Sequence, residues 1–372
     1  MDLTIFDYNW QEAIDRFSEQ WSTLLQGGNF NLSLSPGWID TFKANMKADE
    51  KLRVLIAVKN KRLVGVLPYF EHKTSIFKIP MLMIELAGNI ISYHPRIVAD
   101  NCETELLFEL LNRANKKWHV FRILGLESQN STEIAVCHVV KKIKGSLLIY
   151  PGDASPYLPI NGSWESYLQS KSSNFRYNLK RKEKKISNAG RFEVRFYNSS
   201  SDLDEIYSSM ISIESNSWKT EANIAITSHQ YEVSYYKKLL PFLAKMDALF
   251  AVMLFLDSIP IAYFLCYFWN NKIGNIKTSF DHRYNNLSPG AVVIHHAILK
   301  AFEIGAEEVD FLGGAQYHKM LWTEHFRHYD DYYLFSNDIR SQIVARLKQI
   351  INKQKSLKRL IVGAGSDMKN SK

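Results

Sequence analysis

The sequence predicts an α/β (α+β) fold made of two similar mixed-sheet units with flanking helices. Three observations lead there. First, pairs of apolar runs sit about short polar turns, in KLRVLIAVKNKRLVGVLPYF and again in ALFAVMLFLDSIPIAYFLCYF. Such runs read as strand hairpins. Second, in each half a helical segment follows, then a short apolar strand that reaches a glycine. Third, the paired points Gly65/Ala262 and Gly125/Gly313 lie 197 and 188 residues apart, so the order recurs at a nearly constant offset. At 46% apolar and 13% aromatic residues over 372, the chain has ample material for packed cores.

In chain order, Trp10 to Leu25 reads as a helix and Gly27 to Ser35 as a polar turn. Pro36 to Met46 reads as a second, short helix. Two strands follow about a turn at Lys59 to Lys61. Ile84 to Val98 is strand-rich and broken by Gly88, Asn89 and Pro95. Glu103 to Lys117 carries Leu106, Leu110 and Ala114 on one helical face, and Val120 to Leu124 is a strand ending at Gly125. The first unit is expected over 1–155 and the second over 156–337. The join is set by PGDASPYLPINGSW, where Pro, Gly, Asp and Ser concentrate. Residues 338–372 read as a basic helical tail with Ile343, Leu347 and Ile350 at helical spacing; its last stretch is expected to be disordered.

Charge is local. The net charge is +8; Lys171 to Lys185 holds seven bases and one acid, and Lys353 to Lys372 six bases and one acid. Those stretches sum to +11 and leave the rest near −3, so the body is not a general polyanion binder. The N-terminus lacks the basic-then-apolar order of a signal peptide. The greasiest stretch, Ala248 to Trp269, is interrupted by Asp257, Ser258 and Pro260 and reads as strands, not a membrane span. Cys102, Cys137 and Cys266 show neither disulfide nor metal spacing, which fits a reducing cytoplasm.

Five constellations are candidates for chemistry. Ser288 suits an N-cap, Pro289 the first helical position, and Gly290 a close approach, so the helix start is an anion site or simply a well-capped helix. Within that helix His296, Lys300 and Glu303 form a polar stripe; His295 and His296 are adjacent and expected to diverge, against a paired metal site. Glu214 falls on a stripe with Tyr207, Ile211 and Trp218, and is a desolvated base or a partner of Lys219. In FDHRY, Asp281, Arg283 and Tyr284 orient a substrate or form a turn with an internal Asp–Arg contact. In VDFLGGAQYHKMLW, Asp310 sits in a strand that empties through Gly313 and Gly314 into Gln316, Tyr317, Lys319 and Trp322. His318, His325 and His328 lack an acidic partner there, and no metal is expected. The fifth is NFRYNLKRKEKKI. Leu168, Phe175, Leu179 and Ile186 read as its apolar stripe, and its bases suit RNA, an anionic membrane surface or cofactor phosphates.

From Trp164 to about Trp322 the segments WESYLQSKSSNFRYNLKRKEKKISNAG, IESNSWK, SFDHRYNNLSPG and VDFLGGAQYHKMLW resemble the BioF2-like acetyltransferase domain of the CelD/BcsL family, in the GNAT superfamily. The related Fem-type enzymes have two tandem GNAT-like units, which fits the internal repeat. The resemblance implies transfer of an acyl group from acyl-CoA, acetyl-CoA foremost, to an amine or hydroxyl of a sugar, amino-sugar or envelope-polysaccharide precursor. It implies Ser288, Pro289 and Gly290 at the cofactor, and Glu214, Asp281, Tyr284 and Tyr317 in catalysis. Trp218, Lys219, Asp310 and Lys319 would bind substrate. The glycine-rich pyrophosphate signature is absent before the helix. Gln316 stands where the family commonly has an acid, and His318 stands between Tyr317 and Lys319. Alternatives are a Fem-like aminoacyl transferase using charged tRNA, and a non-catalytic scaffold. The basic helix allows peripheral contact with the inner face of the membrane.

Overall fold

The computed structural model describes residues 3–28, 30–43, 51–87, 95–113 and 118–352. The chain forms two compact units. The first comprises Met1–Phe30, Lys47–Gly152 and Tyr329–Lys372, and the second Asn31–Met46 and Asp153–His328. Neither unit is continuous in sequence, unlike the expected division at 155 and 337. The early helix joins the second unit, and the end of the chain returns to the first.

The elements up to the boundary are β1 (Thr4–Asn9), α1 (Trp10–Gly27), α2 (Pro36–Lys43), β2 (Lys51–Lys59), β3 (Arg62–Ile76), β4 (Ile79–Leu86), β5 (Val98–Ala99), α3 (Glu103–Arg113), β6 (Val120–Glu127), α4 (Ser131–Lys142) and β7 (Ser146–Pro159). Then come α5 (Trp164–Ser170), α6 (Ser173–Ser187), β8 (Phe192–Tyr197), α7 (Leu203–Ser215), α8 (Trp218–Glu221), α9 (Gln230–Lys245), β9 (Leu249–Leu256), β10 (Ile259–Trp269), β11 (Lys272–Phe280), α10 (Pro289–Glu303), β12 (Glu308–Asp310), α11 (Tyr317–Met320) and β13 (Phe326–Phe335). A closing helix covers 339–352.

The expected internal likeness is present in the topology. In the first unit β2, β3 and β4 form an antiparallel meander, helix α3 follows, and β6 pairs parallel to β4. In the second unit β9, β10 and β11 form the meander, α10 follows, and β12 pairs parallel to β11. All four hairpin turns put two successive residues at positive φ: Asn60–Lys61, Phe77–Lys78, Asp257–Ser258 and Asn270–Asn271. That is the turn whose twist matches paired strands. Both meanders shift register near their first turn, at Ala57/Val58 and at Pro260/Ala262. Gly125 and Gly313 both take positive φ, at +66° and +63°.

Each unit has its own core. Leu55, Leu67, Leu106, Leu110, Val136 and Tyr332 fill the first. Val252, Leu254, Phe264, Val292, Ile298 and Phe311 fill the second. A smaller cluster, with Met83, Phe335 and Val344, belongs to the first unit.

Several expectations are corrected. The segment expected as a linker is strand β7, which carries the chain across the boundary. In the first unit Gly145 and Gly152 let the backbone approach β13: a Cβ on either would lie 2.4 Å from a carbonyl oxygen, of Phe335 and Tyr329 respectively. Proline and glycine here signal strand contact, not a break. Strand β6 runs through Gly125 to Glu127, and α4 fills a stretch that carried no prediction. In the closing helix the buried face holds Ser341, Val344 and Ala345; Ile343, Leu347 and Ile350 face outward. The expected disorder at the chain end, and the ends of the helices expected to reach Met46 and Lys117, lie outside the described residues. No described helix is long and apolar enough to cross a membrane.

Candidate functional site

The second unit contains an open cleft of about 1280 Å³. One wall is the start of α10, with Ser288, Gly290, Ala291 and Ile294. Helix α6 faces it with Asn178, Arg181 and Lys182. The end of β11 adds Phe280, α8 adds Trp218, and α11 adds Tyr317 and His318. All of these residues lie in 153–328.

Local sequence explains the α10 wall. Ser288 is left-handed, at φ 57° and ψ 46°, and its side chain makes no capping bond, contrary to its expected role. A non-glycine residue there costs on the order of 1 kcal/mol. The strain turns the chain sharply from the 3-10 turn His282–Leu287 into the helix. Pro289 brings no N–H, and the Ala291 amide is bonded to the Ser288 carbonyl at 3.1 Å. Gly290 therefore offers the free amide of this helix start among the described residues. Its missing side chain matters, because a Cβ there would lie 3.0 Å from Phe280 Cδ1. Gly305, past the other end of the helix, takes positive φ, at +68°.

The α6 wall is basic but individually restrained. Ser172 caps α6 by accepting from Phe175 N, so α5 and α6 are separate helices and the expected continuous stripe from Leu168 is broken. Lys171 Nζ and Tyr167 Oη both donate to the Trp322 carbonyl at 2.7 Å, fixing the cleft's far wall. Burial lowers the pKa of Lys182, with the charge of Arg181 adding to it. A lysine so placed favours an anion that replaces lost water.

The carboxylates expected in catalysis are elsewhere. Glu214 is 1% exposed and does not line the cleft. Its Oε1 accepts from Lys219 Nζ at 2.8 Å and Tyr263 Oη at 2.6 Å, and its Oε2 from Ile226 N at 2.7 Å. A carboxylate satisfied this fully is a poor base. The expected stripe through Tyr207, Ile211 and Trp218 is also corrected: α7 buries Ile206, Met210 and Ile213 and stops at Ser215, and Trp218 opens a new helix capped by Ser217. Asp281, also 1% exposed, caps the 3-10 turn through Arg283 N and pairs with Arg283 Nη2 at 2.6 Å. Tyr284 packs on the unit's core and is not in the cleft wall.

Asp310 is buried and bonded to Leu312 N at 2.9 Å and Arg327 Nη1 at 3.0 Å. Leu312 and Gly313 both take positive φ, the unusual turn that the glycine pair suggested. Lys319 Nζ closes this turn by donating to the Leu312 carbonyl at 2.5 Å. Burial pushes the pKa of Lys319, like that of Lys219, down to about 8. Both lysines therefore hold backbone in place; neither lines the cleft.

Of the expected site residues, the cleft wall includes Ser288, Gly290, Trp218 and Tyr317, and it omits Pro289, Glu214, Lys219, Asp281, Tyr284, Asp310 and Lys319. Trp218 is 45% and Tyr317 74% exposed. The residue that sequence reasoning passed over is His318. It lines the cleft, and its pKa is lowered by desolvation first and the neighbouring Lys319 charge second. Its signal was its position: it is the residue inserted into the terminal motif.

Residues 173–320 match the family described as acetyltransferase (GNAT) domain. The match lies within the second unit. No curated protein matches the sequence. Among solved structures the chain is similar to FemX, at 13% identity and a TM-score of 0.61, covering 88% of this chain and 98% of that one. It is similar to a conserved Bacteroides thetaiotaomicron protein of unknown function, at 12% identity and 0.56, covering 86% and 97%. It is also similar to a C-terminal DUF2156 domain named for a lysylphosphatidylglycerol synthetase of Agrobacterium fabrum, at 8% and 0.55, covering 90% and 95%. At these identities the likeness concerns the fold, and it extends over both units.

Proposed function

We propose that the second unit transfers an acyl group from acyl-CoA, acetyl-CoA foremost, to an amine or hydroxyl of a sugar-like acceptor. The observation that carries this reading is the cleft at the α10 start, where a free amide and a basic helix wall meet inside the segment matched to an acetyltransferase domain. Helix starts and buried cations suit phosphates. The residues therefore fit the anionic part of the cofactor, held by Gly290 N–H, Arg181 and Lys182. Acyl-CoA supplies an activated thioester carbonyl when bound.

The chain's own tasks are then positioning and proton handling. His318 takes the proton from the attacking amine or hydroxyl; its lowered pKa keeps the imidazole neutral at physiological pH. Tyr317, which is exposed and lines the same cleft, gives a proton to the leaving thiolate in this reading. Trp218 and Phe280 offer apolar faces, and Asn161, Glu324 and His325 offer polar groups, the mixture that a polyhydroxylated acceptor uses. Glu214 and Asp281 act as positioning residues that hold Lys219 and the Arg283 turn.

Calorimetry with acetyl-CoA tests the proposal. Saturable binding is expected, weakened in Gly290→Trp by the clash with Phe280. Absence of binding at millimolar ligand overturns it. The tRNA alternative has its own signature: binding through α6 would fall steeply with salt. Acyl-CoA turnover lost in His318→Ala argues against a non-catalytic scaffold.

A further inference from the structure

Glu183 is the one acid in the basic run of α6. It does not pair with its lysine neighbours. Its Oε1 lies 3.2 Å from His295 Nδ1 and 2.9 Å from His296 Nε2, both on α10. The three ligand atoms all lie within 4.8 Å of one another. Adjacent helix residues point about 100° apart, which is why divergence was expected. Here one ring presents the nitrogen near its backbone and the other the nitrogen at its tip, and both converge on one carboxylate. Both contacts are at hydrogen-bonding distance, but neither nitrogen has a well-directed hydrogen bond among the described residues. His295 is 6% exposed and held between Trp164, with ring centroids 5.2 Å apart, and Trp322, at 6.4 Å.

We infer that Glu183, His295 and His296 bind a divalent transition-metal ion, zinc foremost, which clasps α6 to α10. A tetrahedral zinc with bonds of about 2.1 Å has ligand atoms roughly 3.4 Å apart. The Glu–His separations of 3.2 and 2.9 Å are within a few tenths of that edge. The ion enters with a small outward shift of Glu183, which is half-buried and gives solvent access. Two imidazoles and one carboxylate favour zinc, cobalt, nickel or copper over calcium or magnesium, which prefer all-oxygen shells. Three protein ligands leave a fourth position for water. His295 stacks on Trp322, which lines the cleft, while Glu183, His295 and His296 do not line it, so the ion acts on helix placement and touches no reacting group. The inference does not depend on the acyl-transfer reading.

The test uses the full chain, stripped with a chelator and dialysed. Zinc is titrated in competition with a chromophoric chelator, and cobalt is followed by its visible absorption. The expected result is one ion per chain with tetrahedral cobalt bands, and a melting temperature raised by zinc. Glu183→Gln and His296→Asn each weaken binding by about a hundredfold or more and abolish the melting shift. His325→Gln leaves both unchanged. Should Glu183→Gln fail to fold, His296→Asn, at a side chain 17% exposed, decides. No stoichiometric uptake by the wild type at ~10 μM ion, or uptake unchanged in both variants, overturns the site.

Discussion

The two meander–helix–strand repeats share an order and differ in charge at the point where a ligand would bind. In the first unit α3 begins with Glu103 and Glu105, so its own carboxylates neutralise the positive helix start. In the second unit the first turn of α10 has no acid, and it opens on a basic cleft. The parallel strand pairs differ likewise. Glu85 on β4 and Arg122 on β6 are register partners, joined by bonds of 2.7 and 2.9 Å with Glu85 1% exposed. Their counterparts Gly274 and Asp310 make no such cross-strand pair; Asp310 instead pairs with Arg327 and braces the turn after β12. One helix start is neutralised by its own carboxylates and the other is left open. The lesson is that the same backbone becomes a site or a scaffold according to a handful of charges.

The sharpest way to break the comparison is to remove chemistry from the open repeat. His318→Ala is expected to lower kcat by about 10²–10⁴ with the fold intact. In the wild type, activity should rise with pH through a midpoint below the ordinary histidine value of 6.5, and that limb should vanish in the variant. Steady-state rates over pH 5–8 (about the imidazole range) would show it.

Removing a buried carboxylate should instead affect stability. Glu85→Ala removes the carboxylate that pairs with Arg122, and Glu214→Ala the one that pairs with Lys219, each costing about 3–5 kcal/mol in denaturant unfolding. The Glu85 variant should keep its affinity for acetyl-CoA wherever it remains folded. A third change makes the open repeat imitate the closed one. Ala291→Glu puts a carboxylate in the first turn of α10 and is expected to weaken acetyl-CoA by about tenfold or more in calorimetry, by repelling phosphate.

The smallest effect is in pH. Lys219 and Lys319 lose protons near pH 8 when folded but near 10.5 when unfolded. Between those values the unfolded chain holds more protons, so stability rises with pH from about 8 upward. Below pH 8 the two lysines are charged in both states and give no slope. Urea midpoints at pH 8 and 9.5 should therefore differ, and Lys319→Met should flatten the difference.

Periodicity exposed the hairpins, the helices and the repeat, because strand and helix patterns are local. It failed where a contact distant in sequence overrode local preference. The prolines and glycines of 151–159 read as a break and are a strand because glycine lets β13 approach. In the closing helix the spacing of Ile343 and Leu347 marked the helix, and smaller residues form its buried face. The site was half legible. Gly290, Trp218 and Tyr317 were named from motifs and line the cleft. Glu214 and Asp281 were weighed as bases or as partners of Lys219 and Arg283, and the latter reading is the one found. His318 was noted as an interruption of the motif and as a histidine without an acidic partner, not as a base.

By itself the sequence determined that the chain folds as an α/β protein, that a hairpin–helix–strand order occurs twice, and that its positive charge is concentrated in two short stretches. Those properties follow from residue spacing and composition. Only the tertiary structure decided which carboxylates were spent on buried lysines and arginines, which helix start stayed open, and that Glu183 would meet two histidines more than a hundred residues away. Whether an ionisable group is free to react depends on its neighbours in space, and spacing along the chain does not encode them.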